Sequence, residues 1–278
     1  MEKERTKTGL VGFFDILGYQ NLLERNEPEK IAEEVLPILI NIGSTVTESL
    51  EGLFDILSRA AKAKYKDKAE EKIVTEFNEY IKKIMRSIRW LIFSDTLLLT
   101  IPIDEKTEKD PSPTWLIFLT ATHSLQNKLF KAGLPVRGAI DYGKFFIKDT
   151  CFAGRTIVNA YRLCSQIELA ACVLSEVAAK EFLQMKNSTS HSEIFDVFVI
   201  EYLVPMKSGE KHLLSVAAHT YNQDSIDIHG DVMRSFWGNK KDIPLNVRQK
   251  AQNTEQWLEF LEYRRKMNEQ KEKSKAES

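Results

Sequence analysis

Two acids and two arginines carry the chemistry open to this chain of 278 residues. Asp15 ends an apolar run, Leu10 to Phe14, of the kind found in the middle of a sheet. A carboxylate there needs a partner, because burying an unpaired charge is costly. Gly18 follows closely, where a sharp turn leaves N–H groups free to face a ligand. Asp95 stands in the polar step Ser94-Asp95 between two β segments, Trp90 to Phe93 and Thr96 to Ile101, so it is expected at a hairpin tip. Two carboxylates on adjacent strand ends can hold two divalent ions. Such a pair serves in-line displacement at phosphorus, one ion activating the attacking oxygen and the other clamping the phosphates. Arg137 has two readings, an ion pair with an acid or a contact with phosphate. Arg162, on a helical segment, would neutralise charge growing on a transferred phosphoryl group if it faced the acids. Each residue also has a structural reading: Asp95 as a turn former, Arg162 as a solvated helix side chain.

The elements that must position them are mixed. After the opening strand, Pro28 with its flanking acids starts a helix. Ile31, Val35, Leu36, Leu39 and Ile40 continue it at helical spacing, and further helical tracts run over about 45–63 and 73–84, separated by a charge run at 64–71. The hairpin at 89–103 comes next, then a charged loop at 104–113. A helix over 115–132 closes at Gly133. Pro135 to Gly143 reads as a strand, with Lys144 to Ile147 as its hairpin partner. Gly154 leads into a helix over 156–169, Cys172 to Ser175 is a short strand, and Glu176 to Met185 a helix. Phe195 to Val204 and His212 to Asn222 read as an antiparallel pair. The last tract is helical from Leu245 and ends in a Lys/Glu/Ser tail at 268–278 expected to be disordered. Strand, helices, hairpin, helix and strand in this order predict an α+β sheet covered by helices.

Composition narrows the class. The 39 basic and 40 acidic side chains leave a net charge of −1, with no basic excess to suggest nucleic-acid binding. Cys151, Cys164 and Cys172 lack metal or disulfide spacing and read as reduced thiols of a cytoplasmic protein. The scattered histidines His191, His212, His219 and His229 form no metal pattern. No segment has the apolar length of a membrane span, and no signal peptide follows the charged N-terminus.

Four stretches, in order, resemble the motifs of the class III nucleotidyl cyclases. Phe13-Phe14-Asp15-Ile16-Leu17-Gly18-Tyr19 looks like the family's first metal motif, and Phe93-Ser94-Asp95-Thr96 like its second. Val136 to Gly143 is similar to its R-x-G strand, and Gly154 to Leu163 to the segment that carries its transition-state arginine. The resemblance covers about 9–175. It implies a ferredoxin-like sheet covered by helices, with a catalytic domain over 1–245, a helical insertion at about 28–84, and a C-terminal helix and tail over 246–278. It implies two Mn²⁺ or Mg²⁺ ions on Asp15, Asp95 and the Ile16 carbonyl, and nucleotide contacts from Phe14, Leu17, Gly18 and Tyr19. Arg162 would stabilise the transition state across a homodimer whose subunits share their active sites. The reaction would be attack of the ribose 3′-hydroxyl on the α-phosphorus, releasing pyrophosphate.

Departures from the pattern bear on the substrate. The family's ribose-orienting Asn belongs four residues before the arginine, where Val158 stands; Asn159 is one residue late. The purine-reading positions align with Leu91 and Cys151. Cys151 fits the guanylate pattern, but Leu91 cannot hydrogen-bond a base, and a site lacking that donor loses most of its discrimination. Strand alternation puts Arg89 on the face of Leu91, Phe93 and Asp95, where its guanidinium could read the carbonyl oxygens of uracil or cytosine. These features resemble the stand-alone pyrimidine cyclases of bacterial Pycsar anti-phage systems. Those make cyclic UMP or CMP, a messenger for a separate effector. The resemblance thus implies a cytoplasmic uridylate or cytidylate cyclase without nucleic-acid or membrane partners. A catalytically silent cyclase-like module, a purine cyclase and another two-metal phosphoryl-transfer enzyme are the alternatives.

Overall fold

A computed structural model describes residues 6–24, 26–64, 71–104, 108, 110–148, 151–190, 192–218, 227–237 and 245–276. The chain opens with β1 (Lys7–Ile16), a short α1 (Tyr19–Glu24), α2 (Pro28–Glu34), the long α3 (Leu36–Lys64) and α4 (Glu71–Ser87). The hairpin β2 (Arg89–Phe93) and β3 (Thr96–Pro102) follows, then α5 (Ser112–Lys131) and β4 (Val136–Lys148). Next come β5 (Cys151–Ala153), α6 (Arg155–Cys164), β6 (Cys172–Leu174), α7 (Glu176–Ser188), α8 (Glu193–Asp196), β7 (Val199–Met206) and β8 (Gly209–Val216). Two helices, α9 (Ile228–Trp237) and α10 (Leu245–Ala276), end the described chain.

The strands form one sheet in the order β2-β3-β1-β4-β6-β8-β7, with β5 paired to β4. The β2-β3-β1-β4 part is antiparallel throughout. Its chain path is strand, helices, hairpin, helix, strand, the ferredoxin-like βαββαβ unit. The protein is therefore an α+β fold, a mixed sheet covered by helices.

Strand alternation divides the side chains between two layers. Leu10 and Phe14 of β1, Leu97, Leu99 and Ile101 of β3 and Ile140 of β4 share a core with buried residues of α3, α4, α5 and α7. Thirteen residues of α5 are buried because it lies between the sheet and α3, and Ser49 of α3 hydrogen-bonds Ser124 of α5 at 2.8 Å. The helical stretch between the two acids thus thickens this one layer. On the opposite face, Val11, Leu98 and Phe145 pack with Phe13, Leu91 and Ile157, under α6. Farther along that face, Ala139 and Val173 meet Trp257 and Leu258 of α10.

Several expectations shift. The segment Lys144 to Ile147 does not turn back; it continues β4, whose hairpin partner is β5. The stretch expected as two helical tracts around residue 43 is one helix, since packing of Leu39, Ile42 and Val46 into the core carries it through Gly43. The helix expected to reach residue 169 ends at Cys164, because the chain must bend there to enter β6. Phe195 lies in α8, not in a strand, with its ring against Phe182. The expected tail is helical to Ala276, and the start of that helix is core: Trp257 and Leu258 are fully buried. The charge run at 65–70 and the expected strand end at 219–222 lie outside the described residues. Among the described residues no helix is long and apolar enough to cross a membrane.

Candidate active site

Asp15 and Asp95 come together at one end of the sheet. Asp15 is opposite Thr96 in the β1–β3 register, and Ile16 donates its amide to the Asp95 carbonyl at 3.0 Å. That backbone bond fixes the hairpin tip against the end of β1. Ser94 turns the tip with φ 56°, a left-handed conformation that costs a non-glycine residue about 1–2 kcal/mol. Burial first, and the nearby Asp95 charge in addition, raise the Asp15 carboxyl above its ordinary range despite Arg137.

Arg137 is the partner the half-buried acid requires. Its Nε and Nη2 both reach Asp15 Oδ2, at 2.8 and 2.7 Å. Its Nη1 donates to the carbonyls of Ser165 and Ile167, at 3.3 and 3.1 Å. Of the two readings left by the sequence, the ion pair is the one seen. Both nitrogens use the same carboxylate oxygen, and no hydrogen bond from the described residues reaches Asp15 Oδ1.

A second group of charges, centred on Lys250, lies near Asp15 and was not singled out by the sequence reasoning. Lys250 of α10 acts on Asp15 and Arg137 and lies 3.9 Å from Glu168; Lys207, in the β7–β8 turn, whose amide donates to the Gln166 carbonyl at 2.8 Å, adds its charge to Lys250's surroundings. Nothing marks Lys250 in the sequence, since it stands in an ordinary charged helix more than a hundred residues after Arg137.

The other candidates divide. Gly18, with φ 80°, makes the turn after β1 in a conformation that suits glycine. Tyr19 is buried, and burial, then Asp95, raise its hydroxyl. Leu17's amide, expected to face the triphosphate, donates instead to the Pro135 carbonyl at 2.8 Å. Phe14's side chain is fully buried on the face opposite Asp15, as period-two alternation requires, so its ring contacts no ligand at the acids. Its ring lies against Gly138, where a Cβ would stand 2.4 Å from Phe14 Cδ1.

Arg162 is exposed on the outer side of α6, and it is not among the charges that act on Asp15. Val158, one turn earlier, shares that exposed side. Asn159 points inward, donating to buried Asp141 at 3.1 Å. Arg89 does not reach toward the hairpin tip: its Nη1 donates to the Arg86 and Ile88 carbonyls, at 2.7 and 2.8 Å, and closes α4. The carbonyls freed at the helix end lie nearer to it than any ligand at the tip would. Leu91 and Phe152 pack on the same Val11–Leu98–Phe145 cluster, whereas Cys151, one residue before Phe152 on β5, is exposed and alternates to the other face.

Hard oxygen donors, one of them a carboxylate oxygen that no described residue hydrogen-bonds, fit Mg²⁺ or Mn²⁺. Among the described residues no group of three His, Cys, Asp or Glu side chains could hold a metal. Two carboxylates alone suit ions that arrive with, and are completed by, a phosphorylated substrate.

No protein-family model matches the chain, and no curated protein matches it significantly. Solved structures to which it is similar include the adenylyl cyclase CyaB from P. aeruginosa, at 15% identity over 80% of this chain and 99% of that one, with a TM-score of 0.42. A rhodopsin-guanylyl cyclase catalytic core in complex with ATPalphaS aligns at 11% identity, covering 78% and 99%, with a TM-score of 0.45. The guanylate cyclase domain of RhGC from Catenaria anguillulae, in complex with GTP, aligns at 15%, covering 78% and 100%, with a TM-score of 0.40. Likenesses this distant are too weak to carry a family or an activity over to this chain.

Proposed function

We propose that this protein is a metal-dependent nucleotidyl cyclase. The observation that carries the reading is the pair of carboxylates, Asp15 and Asp95, held at adjacent strand ends by the Ile16–Asp95 backbone bond. The four motif resemblances support it. Asp15 through Oδ1, Asp95 and the Ile16 carbonyl would hold two divalent ions. Those ions, when bound, activate the ribose 3′-hydroxyl and offset charge on the phosphates. Arg137 fixes Asp15 in place and keeps the site from carrying two unopposed negative charges when empty. Arg162 points outward, as does Val158, and Phe93 is 75% exposed on the strand face that carries Asp15. A second copy of the chain, docked on this side, would bring its Arg162 to the acids and close the site from water.

The substrate we propose is UTP or CTP, the product serving as a messenger for a separate effector in anti-phage defence. Leu91 supports this, since it offers no hydrogen bond to a purine and packs on the apolar Val11–Leu98–Phe145 cluster. Arg89 supports it less than its strand position implied, because its guanidinium is spent on α4. Full-length protein with Mn²⁺ and each ribonucleoside triphosphate tests both parts. A cyclic pyrimidine nucleotide that falls at least a hundredfold in Asp95→Ala is the expected result. Cyclic AMP or GMP as main product removes the pyrimidine assignment alone. No product from any triphosphate leaves a nucleotide-binding module.

A further inference from the structure

We propose that α10 supplies a phosphate-binding residue to this site: Lys250 takes the polyphosphate tail of the nucleotide, in the same chain that holds Asp15. The inference rests on the nucleotide reading above and extends it to a helix that none of the motifs includes.

Lys250 is placed rather than loosely exposed. Its side chain is only 15% exposed, and α10 is pinned on either side of the contact. Asn253 donates to the Glu168 carbonyl at 2.8 Å, and Thr254 Oγ1 accepts the Ala170 amide at 2.8 Å. Ala251, Trp257 and Leu258 are buried in the core beneath. The 165–170 segment that makes these two bonds also accepts Arg137 Nη1, so the helix and the arginine share one support. A group held this way loses little entropy when it meets a ligand.

Its donors are not used up. Glu168 is the one acid within ion-pair distance among the described residues, and 3.9 Å is too long for a hydrogen bond. Glu168 Oε1 itself accepts none among them. A lysine withdrawn from water without a short acceptor is unusual unless another anion completes it.

The charges around it name that anion's class. Asp15, Glu168, Arg137 and Lys207 all act on Lys250. With Asp95 beside Asp15, the three cations Lys250, Arg137 and Lys207 are matched by the three acids Asp15, Glu168 and Asp95. Divalent ions on the two aspartates would leave the cluster strongly positive, and a polyphosphate carries the matching charge.

The test needs no turnover. Inorganic tripolyphosphate is titrated calorimetrically into the full-length protein with Mn²⁺. Lys250→Met should weaken binding about tenfold or more, the loss of one charge-assisted contact, while Lys250→Arg stays within about threefold of wild type. Glu168→Gln separates a ligand site from a helix clamp. A clamp makes Glu168→Gln behave like Lys250→Met, whereas a phosphate site leaves its binding equal or tighter. Unchanged binding in Lys250→Met, equal loss in Lys250→Arg, or no binding by wild type overturns the proposal. The two readings fail separately. Wild type that binds tripolyphosphate through Lys250 but cyclises nothing keeps the site and removes the cyclase. Turnover with an unchanged KM in Lys250→Met removes Lys250's role and keeps the cyclase.

Discussion

Replacing Arg137 with Ala should unsettle this protein more than replacing the acid it holds. The guanidinium makes two contacts with Asp15 Oδ2 and two with the Ser165 and Ile167 carbonyls. Removing it leaves a carboxylate largely withdrawn from water. Breaking a buried pair from one side costs about 3–5 kcal/mol. The side chains are 13% and 23% exposed, so water recovers a part, and about 3 kcal/mol is expected. Asp15→Ala leaves Arg137 still bonded to two carbonyls and should cost about 1–2 kcal/mol. The double variant should cost roughly what Arg137→Ala costs, a coupling of about 1.5 kcal/mol.

The assay is urea unfolding of the metal-free protein followed by circular dichroism. It carries a pH signature. Burial and Asp95 already raise the Asp15 carboxyl, and Arg137 is the main opposing influence. Without it the carboxyl rises further. An acid raised in the folded state holds its proton more tightly there, so the folded state is favoured in acid and loses that advantage as pH rises through the folded value. The cost of Arg137→Ala should therefore be larger at pH 8 than at pH 5. A variant within about 0.5 kcal/mol of wild type, or strictly additive single effects, would refute the pair as the element that holds Asp15.

Gly138→Ala should lower stability by about 2–3 kcal/mol in the same assay, because its Cβ would collide with the buried Phe14 ring and approach Cys172 Sγ. Ser94→Gly should gain about 0.5 kcal/mol, relief of the left-handed strain being partly offset by glycine's entropy, without displacing Asp95. His123 is half-buried, and burial, then Lys131, hold its imidazolium below the ordinary 6.5. The unfolded chain therefore takes up the proton first, and stability should fall as pH drops below about 6.5; His123→Gln should flatten that slope in thermal melts.

The half of the candidate site built on the two acids was legible because its signals are local. An apolar run ending in Asp15, and a polar step between two β segments, fix strand ends and a hairpin tip from neighbouring residues alone. The meeting of the two ends needs only the ferredoxin-like order. What stayed hidden depends on contacts between distant segments. Arg137's choice of partner is made by β1–β4 register, which sets Arg137 beside Asp15. Lys250 reaches the same place only because Trp257 and Leu258 seat α10 on the sheet. Arg89 misled because strand alternation gives the face of a side chain but not its reach, and the end of α4 lay closer.

The same limit explains Asn159, which the motif placed one residue late. Its amide is spent on Asp141, which is 1% exposed and also accepts the Ser175 hydroxyl at the start of α7. A buried carboxylate without these donors would be costly, so Asn159 and Ser175 are held by Asp141 rather than free to turn. The residue is therefore no misregistered ribose contact; it ties α6 to β4 and to α7. Val158, where the resemblance expects an amide, is exposed and has no polar atom in its side chain. Any hydrogen bond to a ribose from this stretch must come from backbone or from another element. The helix that carries Arg162 is thus fixed from beneath by a buried acid and by Tyr161, whose ring meets Phe13 of β1, while its outer side, with Val158 and Arg162, is left for whatever docks against it.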